Sequence, residues 1–265
     1  MSYIYYFLIL GLFLTGCVEK IEPDLKENAP KVVIEGLITN QPGPYTVKLS
    51  ETNSFYTSTP PPGIDNALVI ISDNTGAIDT LKNTGDGVYL TNTIKGIIGN
   101  TYDLSVFAKG ITFHAVSFLP PVTTIDSIFT NYYAEDDFIH KKGYYLAFSA
   151  IEPKGRDDYY LWKFYKDGIL LNKPSDIQIA SDEGIKENID GLESPYVFQM
   201  GDTAKVEMYS LTEAAYNFYD GLNVNLHNDG GFYSSPPANP PSNISGGALG
   251  LFQASAVETS VFVVK

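Results

Sequence analysis

The stretch Val32-Val33-Ile34-Glu35-Gly36-Leu37-Ile38-Thr39 decides the fold expected for this chain. It is short and rich in β-branched residues, which is typical of a strand. The prolines and the glycine of Gln41-Pro42-Gly43-Pro44 then predict a turn. Beyond the turn, Tyr45-Thr46-Val47-Lys48-Leu49-Ser50 alternates apolar and polar side chains, which is the pattern of a half-buried strand. The folded part is therefore predicted to begin near Lys31 as a β structure.

The same kind of segment recurs as far as Phe118. The further strand candidates are Ala67–Ser72, Ala77–Lys82, Gly87–Thr91, Thr101–Phe107 and Ile111–Phe118. A set of about seven short strands in one region indicates an immunoglobulin-like or transthyretin-like sandwich. The adjacent prolines of Leu119-Pro120-Pro121-Val122 end strand pairing. We therefore expect an N-terminal β-sandwich domain over residues 31–120.

Residues 121–265 are predicted to form a second β-rich, sandwich-like domain. Its strand candidates are Asp126–Tyr133, Gly143–Ile151, Asp158–Lys166, Ile169–Leu171, Tyr196–Met200, Ala204–Tyr209, Ala248–Phe252 and Val257–Val264. One short helix is expected near residues 212–221, because Thr212 can cap it and Gly221 can end it. The expected fold class is all-β, with two tandem sandwich-like domains and one helix.

The N-terminal segment has the features of a bacterial export signal. Tyr3–Leu14 is an apolar run, too short for the roughly 20 residues of a membrane-spanning helix, and Leu14-Thr15-Gly16-Cys17 is a lipobox. We expect residues 1–16 to be a cleaved signal peptide, Cys17 to be lipidated and residues 17–30 to form a flexible stalk. The alternative is an ordinary secretory signal with an incidental cysteine, and no Lys or Arg precedes the apolar run.

The overall composition excludes several classes of partner and site. The formal net charge is −14 and Arg156 is the only arginine, so the basic surface that a nucleic-acid-binding protein needs is missing. A polybasic patch for anionic lipid is excluded by the same count. Because Cys17 is the only cysteine, the lipidated chain offers no disulfide, cysteine nucleophile or zinc-thiolate site.

Catalytic and metal-binding motifs are missing from the sequence. No Gly-x-Ser-x-Gly nucleophile elbow occurs, and His114, His140 and His227 lack the spacing of a metal site. The acidic pairs Asp136-Asp137 and Asp157-Asp158 could serve a glycosidase-like reaction or bind calcium, or they are solvated turn residues. We favour the turn interpretation and predict no enzyme activity, no metal and no cofactor.

Aromatic residues of the second region are the best candidates for contacts. Tyr132-Tyr133, Tyr144-Tyr145 and Tyr159-Tyr160 lie in predicted strands. Neighbours in a strand point to opposite faces, so one tyrosine of each pair should face outward unless both faces are covered. Surface tyrosines suit protein interfaces and sugar stacking; the alternative is a thick core packed under loops. The proline-rich loops 57–63 and 234–242 are expected to be exposed and stiff. We therefore predict partner or ligand contacts at Tyr133, Tyr145, Tyr160, Trp162, Pro61 and Pro237.

Several motifs together resemble one bacterial family. They are the lipobox at Cys17, the opening strand Pro30–Gly36, Pro44-Tyr45-Thr46-Val47-Lys48-Leu49, the Pro60-Pro61-Pro62 loop and the terminal block Asn239–Gly250. They are similar to the Bacteroidota outer-membrane lipoproteins grouped as "domain of unknown function 4249", over essentially the whole mature chain. The resemblance implies an outer-membrane lipoprotein, often encoded beside TonB-dependent receptors, and it carries over no catalytic residues.

The sequence thus leads us to expect a non-catalytic outer-membrane lipoprotein that acts as an accessory or substrate-binding partner of a TonB-dependent transporter. Glu19 and Glu22 fit the acidic export signals of Bacteroidota surface lipoproteins, which favours the cell exterior over the periplasmic face. Two alternatives stay open. One is a stand-alone protein that binds carbohydrate or peptide, and the other is a hydrolase that uses Asp157 and Asp158.

Overall fold

The computed structural model describes residues 29–54, 57–153, 155–173, 176–181, 188–228, 230 and 237–265. The signal segment, Cys17 and nearly all of the predicted stalk lie outside the described residues. Within these ranges the chain forms β-strands, arranged in four sheets, and one α-helix. The predicted all-β class is confirmed.

The first sandwich contains eight consecutive strands and one distant strand. They are β1 (Val32–Thr39), β2 (Thr46–Glu51), β3 (Leu68–Asp73), β4 (Ile78–Thr80), β5 (Lys82–Gly85), β6 (Val88–Leu90), β7 (Thr101–Ala108), β8 (Ile111–Phe118) and β16 (Leu249–Ser255). One sheet has the order β16-β1-β2-β6-β5, and the other has the order β4-β3-β7-β8. Alternate side chains of both sheets meet in one core, which includes Ile34, Leu49, Ile71 and Leu104.

The strand β16 makes the first sheet a long-range assembly. It runs parallel to β1, with Val33 opposite Leu249 at one end of the pairing. Gly250 has a φ of +101°, and a Cβ at this position would overlap the carbonyl oxygen of Ile34. Only glycine fits such a close approach of two backbones. The predicted domain of residues 121–265 therefore contributes one strand to the first sandwich.

Asn243 and Ser245, which precede β16, connect this strand to β8 in the other sheet of the first sandwich. The Asn243 side chain donates to the carbonyl oxygens of Val116 (3.2 Å) and Phe252 (2.7 Å), and it accepts from the Phe252 N–H (3.1 Å). Ser245 exchanges two hydrogen bonds with the backbone of His114. These contacts, which we call the β16 clasp, satisfy backbone groups of the edge strand β8. The terminal block Asn239–Gly250 thus links β16 to the sheet that contains β8.

The second sandwich is formed by the remaining strands. They are β9 (Ile125–Tyr133), β10 (Gly143–Ile151), β11 (Tyr159–Lys166), β12 (Ile169–Leu170), β13 (Gln178–Ser181), β14 (Asn188–Phe198), β15 (Thr203–Leu211) and β17 (Val257–Val263). One sheet has the order β14-β10-β9; the other has the order β12-β11-β15-β17, and β13 also pairs with β11. The core between them is rich in aromatic residues, including Phe148, Tyr160, Trp162, Phe164 and Phe198.

The helix α1 (Glu213–Leu226) begins where the sequence predicts and extends beyond Gly221. The Thr212 hydroxyl accepts a hydrogen bond from the Ala215 N–H (3.2 Å), so the predicted N-cap is confirmed. The helix continues past Gly221 to Leu226. Gly221 lies against Pro240 and Pro241, where a Cβ would meet Pro241 Cδ at 3.1 Å. The glycine therefore serves close packing of the helix on the proline-rich loop.

Most predicted strands occur within a few residues of their expected bounds, and three differences stand out. Ala77–Lys82 is divided between β4 and β5, which belong to different sheets, because Leu81 is buried between them. The strand expected to begin at Tyr196 already begins at Asn188. The sequence does not predict its first half, because polar residues there interrupt the alternation of apolar and polar side chains. The strand β13 has no counterpart among the predicted ones.

Candidate functional site

Three of the predicted contact residues are buried. Tyr145, Tyr160 and Trp162 are at most 4% exposed, so the expectation that they present an open surface is wrong. Tyr160 and Trp162 face the interior of the second sandwich, where their rings stack with centroids 5.8 Å apart. Tyr145 faces away from that core, but His140 covers it with ring centroids 5.0 Å apart. The phase of the alternation is the opposite of the expected one on β11, whereas on β10 Tyr145 faces outward as expected and is covered by His140.

The other predicted contact residues are accessible to different degrees. Tyr133 is half-buried and lies on the same outer face as Tyr145, with ring centroids 5.4 Å apart. Its neighbour Tyr132 lies on the opposite face, beside Tyr144 (ring centroids 4.7 Å), and is 53% exposed. Pro61 and Pro237 are exposed. Contacts of these residues with a partner stay a prediction.

A loop between β9 and β10, residues 134–142, folds back over the outer face of their sheet. Its His140 ring stacks on Tyr133 with centroids 3.8 Å apart and an interplanar angle of 10°. His140 Nε2 lies 2.9 Å from Glu193 Oε2, and Nδ1 lies 3.3 Å from Asp137 Oδ2. Both ring nitrogens therefore have carboxylate partners, which fix the orientation of the ring. We call residues 134–142 the braced loop.

Acidic residues organise the backbone of the braced loop. Asp137 accepts hydrogen bonds from the N–H groups of Ile139 (2.7 Å) and His140 (2.5 Å), and these bonds lower the pKa of its carboxyl. Asp136 accepts from the Lys142 N–H at 2.7 Å, which likewise lowers its pKa. The pair Asp136-Asp137 thus has the turn role that we favour from the sequence.

The braced loop presents two apolar side chains to solvent. Phe138 is fully exposed and Ile139 is 80% exposed. The turn that carries the exposed Met200 lies at the same end of the sheet, since Tyr144 pairs with Phe198. Large apolar side chains in water mark interaction sites when they cluster. We call Phe138 and Ile139 the apolar tip.

A cavity of about 360 Å³ lies where the two sheets of the second sandwich separate, between β11, β13 and β14. Its volume falls in the range of about 300–1,000 Å³ that is typical of ligand pockets. Its lining is mostly apolar. The apolar lining residues are Trp162, Phe164, Ile179, Ala180, Ile189 and Leu192, and the polar ones are Gln178, Asn188, Asp190 and Glu193. The Glu193 carboxylate binds Asn131, Tyr133 and His140 on the outer face of the sheet.

The indole of Trp162 is the unusual group in this cavity. Trp162 is 3% exposed, and its Nε1 has no hydrogen-bond partner among the residues that the structure describes. A buried N–H without a partner costs roughly 1–3 kcal/mol, so such groups are rare in folded proteins. The Nε1 atom itself is inaccessible to solvent, so the surrounding side chains enclose this donor. The sequence draws attention to Trp162, but its pattern gives no sign of the cavity.

The acidic pair Asp157-Asp158 lies in a separate recess of about 340 Å³, next to Glu213 on the helix. Asp158 is buried and forms a 2.5 Å salt bridge with Arg156 Nε. The hydrogen bond to Asp158 raises the pKa of Arg156. A carboxylate held in an ion pair by the only arginine is poorly placed to exchange protons with a substrate. The arrangement favours a structural role for the pair.

The described ranges contain no cluster of metal-ligating side chains. No group of three or more His, Cys, Asp or Glu side chains there is placed to hold a metal ion. His114 lies on the exposed face of β8, and His227 follows the last residue of the helix. Among the same residues, no helix is long and apolar enough to cross a membrane.

Comparison with known proteins gives a family match and distant structural likenesses. A family model described as "Domain of unknown function (DUF4249)" matches residues 18–260. No curated protein matches the chain. Among solved structures, a segment of chicken tenascin with two fibronectin type III domains is similar at 14% sequence identity, over 68% of this chain and 90% of that chain, with a TM-score of 0.21.

Proposed function

The chain belongs to the DUF4249 family, and from that premise we propose that it is a non-catalytic outer-membrane lipoprotein. It is anchored through Cys17, faces the cell exterior, and acts as an accessory or substrate-binding partner of a TonB-dependent transporter. The lipobox supports the anchor, because acyl chains contribute about 0.8 kcal/mol per buried methylene. Glu19 and Glu22 after the lipidated cysteine support the exterior face.

The apolar tip is the observation that carries the partnership. Phe138 and Ile139 project from a loop that His140 already holds in place, so their binding costs little ordering entropy. Aromatic anchors of this kind dominate the energy of protein interfaces. The net charge of −14 repels an anionic membrane, which favours an apolar cleft in transporter loops over lipid as the partner of the tip.

Co-purification tests this partnership. The lipidated protein is extracted from its own envelope in mild detergent, and the transporter encoded nearby is quantified. We expect the double substitution Phe138→Asp and Ile139→Asp to reduce recovery of the transporter by about tenfold or more, the loss expected for a truncated interface anchor. The matched control is Ile78→Asp, which charges a 68% exposed residue of the first sandwich and should leave recovery unchanged.

Two results would contradict the proposal. One is recovery of the lipoprotein without the transporter, and the other is equal recovery with the double variant and the wild type. The anchor is tested separately, because Cys17→Ser should release the protein from the membrane fraction. Protease shaving of intact cells tests the exterior face.

A second candidate function is the capture of a peptide. The cavity beside Trp162 favours it, because a mostly apolar lining is suited to an apolar side chain.

A further inference from the structure

We propose that the proton on the His140 ring controls the braced loop: the protonated ring holds the apolar tip in place, and the neutral ring releases it. This inference rests on the proposed function, because it concerns how the tip is presented to a transporter. The order of the loop is a property of the chain alone, so it is measured without the partner.

The ring of His140 lies between two carboxylates from different parts of the chain. Nε2 is 2.9 Å from Glu193 Oε2 on β14, and Nδ1 is 3.3 Å from Asp137 Oδ2 in the braced loop. A neutral imidazole has one N–H donor and one lone pair, whereas the imidazolium has two donors. In the neutral ring, one nitrogen therefore directs its lone pair at a carboxylate oxygen. Only the protonated ring donates to both partners.

The contact with Glu193 connects the braced loop to the sheet beneath it. Glu193 also accepts hydrogen bonds from the Asn131 side chain (2.7 Å) and from the Tyr133 hydroxyl (3.3 Å), so its position does not depend on His140 alone. Charge-assisted hydrogen bonds are roughly twice as strong as neutral ones. Loss of the ring charge thus weakens the connection on the side of the loop and leaves the sheet intact.

The titratable groups that face His140 belong to the braced loop and to the three strands beneath it. They are Asp137 of the loop, Tyr133 of β9, Tyr145 of β10 and Glu193 of β14, and the loop also carries Glu135, Asp136, Lys141 and Lys142. Hydrogen bonds from the His140 and Ile139 N–H groups lower the pKa of Asp137. Partial burial and the neighbouring Glu193 raise the pKa of Tyr133. Of these side-chain types, only histidine changes its charge between about pH 5 and 8.

The predicted pH dependence has a definite sign. At acidic pH the protonated ring keeps both carboxylate contacts, so the loop is held. As the pH rises, the ring loses its proton and the contacts weaken. Phe138 and Ile139 are then free to move, and their binding to a partner costs ordering entropy. The tip is therefore presented best in the acidic part of the range.

Amide hydrogen exchange of the full soluble chain without its lipid tests the inference. The N–H groups of Ile139 and His140 donate to Asp137, so their protection reports on the order of the loop. Protection relative to an unstructured peptide at the same pH is measured between about pH 5.5 and 8.5, together with the ring NMR signals of His140. We expect protection to fall by about tenfold over the interval in which the ring titrates, the loss implied by one charge-assisted hydrogen bond.

Two substitutions at position 140 imitate the two charge states. His140→Arg keeps a permanent charge on a planar group that stacks on aromatic rings and binds carboxylates, so the loop should stay protected at high pH. His140→Gln has no charge, so protection should be low at every pH. His114→Gln, which replaces an exposed histidine of β8, is the matched control and should keep the wild-type profile. Far-UV circular dichroism establishes that each variant is folded.

Co-purification at about pH 6 and about pH 8 connects the order of the loop to the proposed function. Recovery of the transporter with the wild type should be several-fold higher at the lower pH, because the tip is then held in its binding position. Recovery with His140→Arg should be equal at the two values.

Each opposite result overturns the inference. Unchanged protection while the His140 ring titrates, a pH-dependent loop in His140→Gln, or loss of protection at high pH in His140→Arg would exclude the ring proton as the switch. Equal recovery of the transporter at both pH values, from a loop whose order changes, would exclude tip presentation as its consequence. Failure to recover the transporter at either pH, with pH-dependent loop order, would concern the transporter partnership alone.

Discussion

The two sandwiches differ in whether the buried polar groups of their cores have hydrogen-bond partners. In the first, the buried Tyr89 hydroxyl donates to the Ile64 carbonyl (2.8 Å) and accepts from the Ala67 N–H (3.0 Å). In the second, the buried donor of Trp162 has no partner in the described part of the chain. The first core is complete by itself, and the second gains from a group that the described chain does not supply. Among the described residues, the hydrogen-bonding groups of the second core are therefore less completely satisfied than those of the first.

The edges of the two sandwiches show the same contrast. The β16 clasp covers the edge of β8 with side-chain and backbone hydrogen bonds. In the second sandwich, the edges of β13 and β14 border an open cavity. Closed edges prevent unwanted strand pairing, and open ones permit it. Among the described residues, the two sandwiches thus differ in how far the edges of their sheets are covered.

The largest effect is expected from breaking the closure of the first sandwich. A Cβ at Gly250 would overlap the Ile34 carbonyl at a φ of +101°, so Gly250→Ala should cost about 4 kcal/mol of unfolding free energy. Urea unfolding is followed by far-UV circular dichroism and by Trp162 fluorescence, which reports on the second sandwich alone. Earlier loss of the dichroism signal would show that the two halves unfold separately.

A matched glycine separates overlap from backbone strain. Gly247 also has a positive φ, +82°, but a Cβ there would meet nothing within 4 Å. Gly247→Ala should therefore cost only about 1–2 kcal/mol. Equal losses for the two variants would show that the close approach of β16 to β1 does not constrain position 250.

The next effect concerns a buried carboxylate of the first sandwich. Asp79 accepts hydrogen bonds from the N–H groups of Asn92, Thr93 and Ile94 at 2.7–3.0 Å. Burial alone would raise the pKa of its carboxyl, but these bonds together lower it. Asp79→Asn should cost about 2–3 kcal/mol of unfolding free energy at neutral pH, measured by urea unfolding. Asp103→Asn, at an exposed strand position, is the control.

The same carboxylate predicts a pH dependence with a definite sign. Because the pKa of Asp79 is lower in the folded state, the unfolded chain binds more protons as the pH falls. Its contribution is present above the unfolded value of about 3.9 and is lost as the pH falls through the folded value. The stability of Asp79→Asn should therefore fall less steeply than that of the wild type below about pH 4. Parallel curves would contradict this role.

Local patterns predict much of the fold. Period-two alternation identifies β2 and β8, and a threonine before a helical segment identifies the N-cap at Thr212. These features depend on neighbours in the sequence, so the sequence displays them. The pairing of β1 with β16 joins residues far apart in the chain, and no local pattern encodes such a partner.

The candidate sites are less predictable for the same reason. The sequence predicts Trp162 as a contact residue. Whether its side chain is buried depends on which face of β11 meets the other sheet. The apolar tip is hidden in a polar context, because Phe138 and Ile139 lie between Asp137 and His140. Their exposure results from the contacts of His140 with Tyr133 and Glu193 across the sheet. Such contacts exist only in the folded chain.

A smaller loss of stability is expected from substituting Tyr102, a buried tyrosine of the first sandwich. The Tyr102 hydroxyl donates to the Lys95 carbonyl (2.8 Å) and accepts from the Ile97 N–H (2.7 Å). Tyr102→Phe leaves both backbone groups without this partner and should cost about 1–2 kcal/mol in thermal or urea unfolding. The exposed Tyr132 provides the control, since Tyr132→Phe should change stability by less than about 0.5 kcal/mol. If Tyr102→Phe leaves the free energy of unfolding unchanged, the contrast between the two cores is contradicted.

The smallest effect on stability is expected at Trp162, in the core of the second sandwich. Trp162→Phe reduces ring contacts in the core, which destabilises the fold, but it also removes a buried donor that has no partner in the described chain, which stabilises it. The two effects oppose each other, so the net change should stay within about 1 kcal/mol and below the loss in Tyr102→Phe. Because this variant lacks the fluorophore, urea unfolding is followed by far-UV circular dichroism. A loss above about 2 kcal/mol would mean that the indole N–H already has an acceptor in the ligand-free protein, and the second core would then be as self-sufficient as the first.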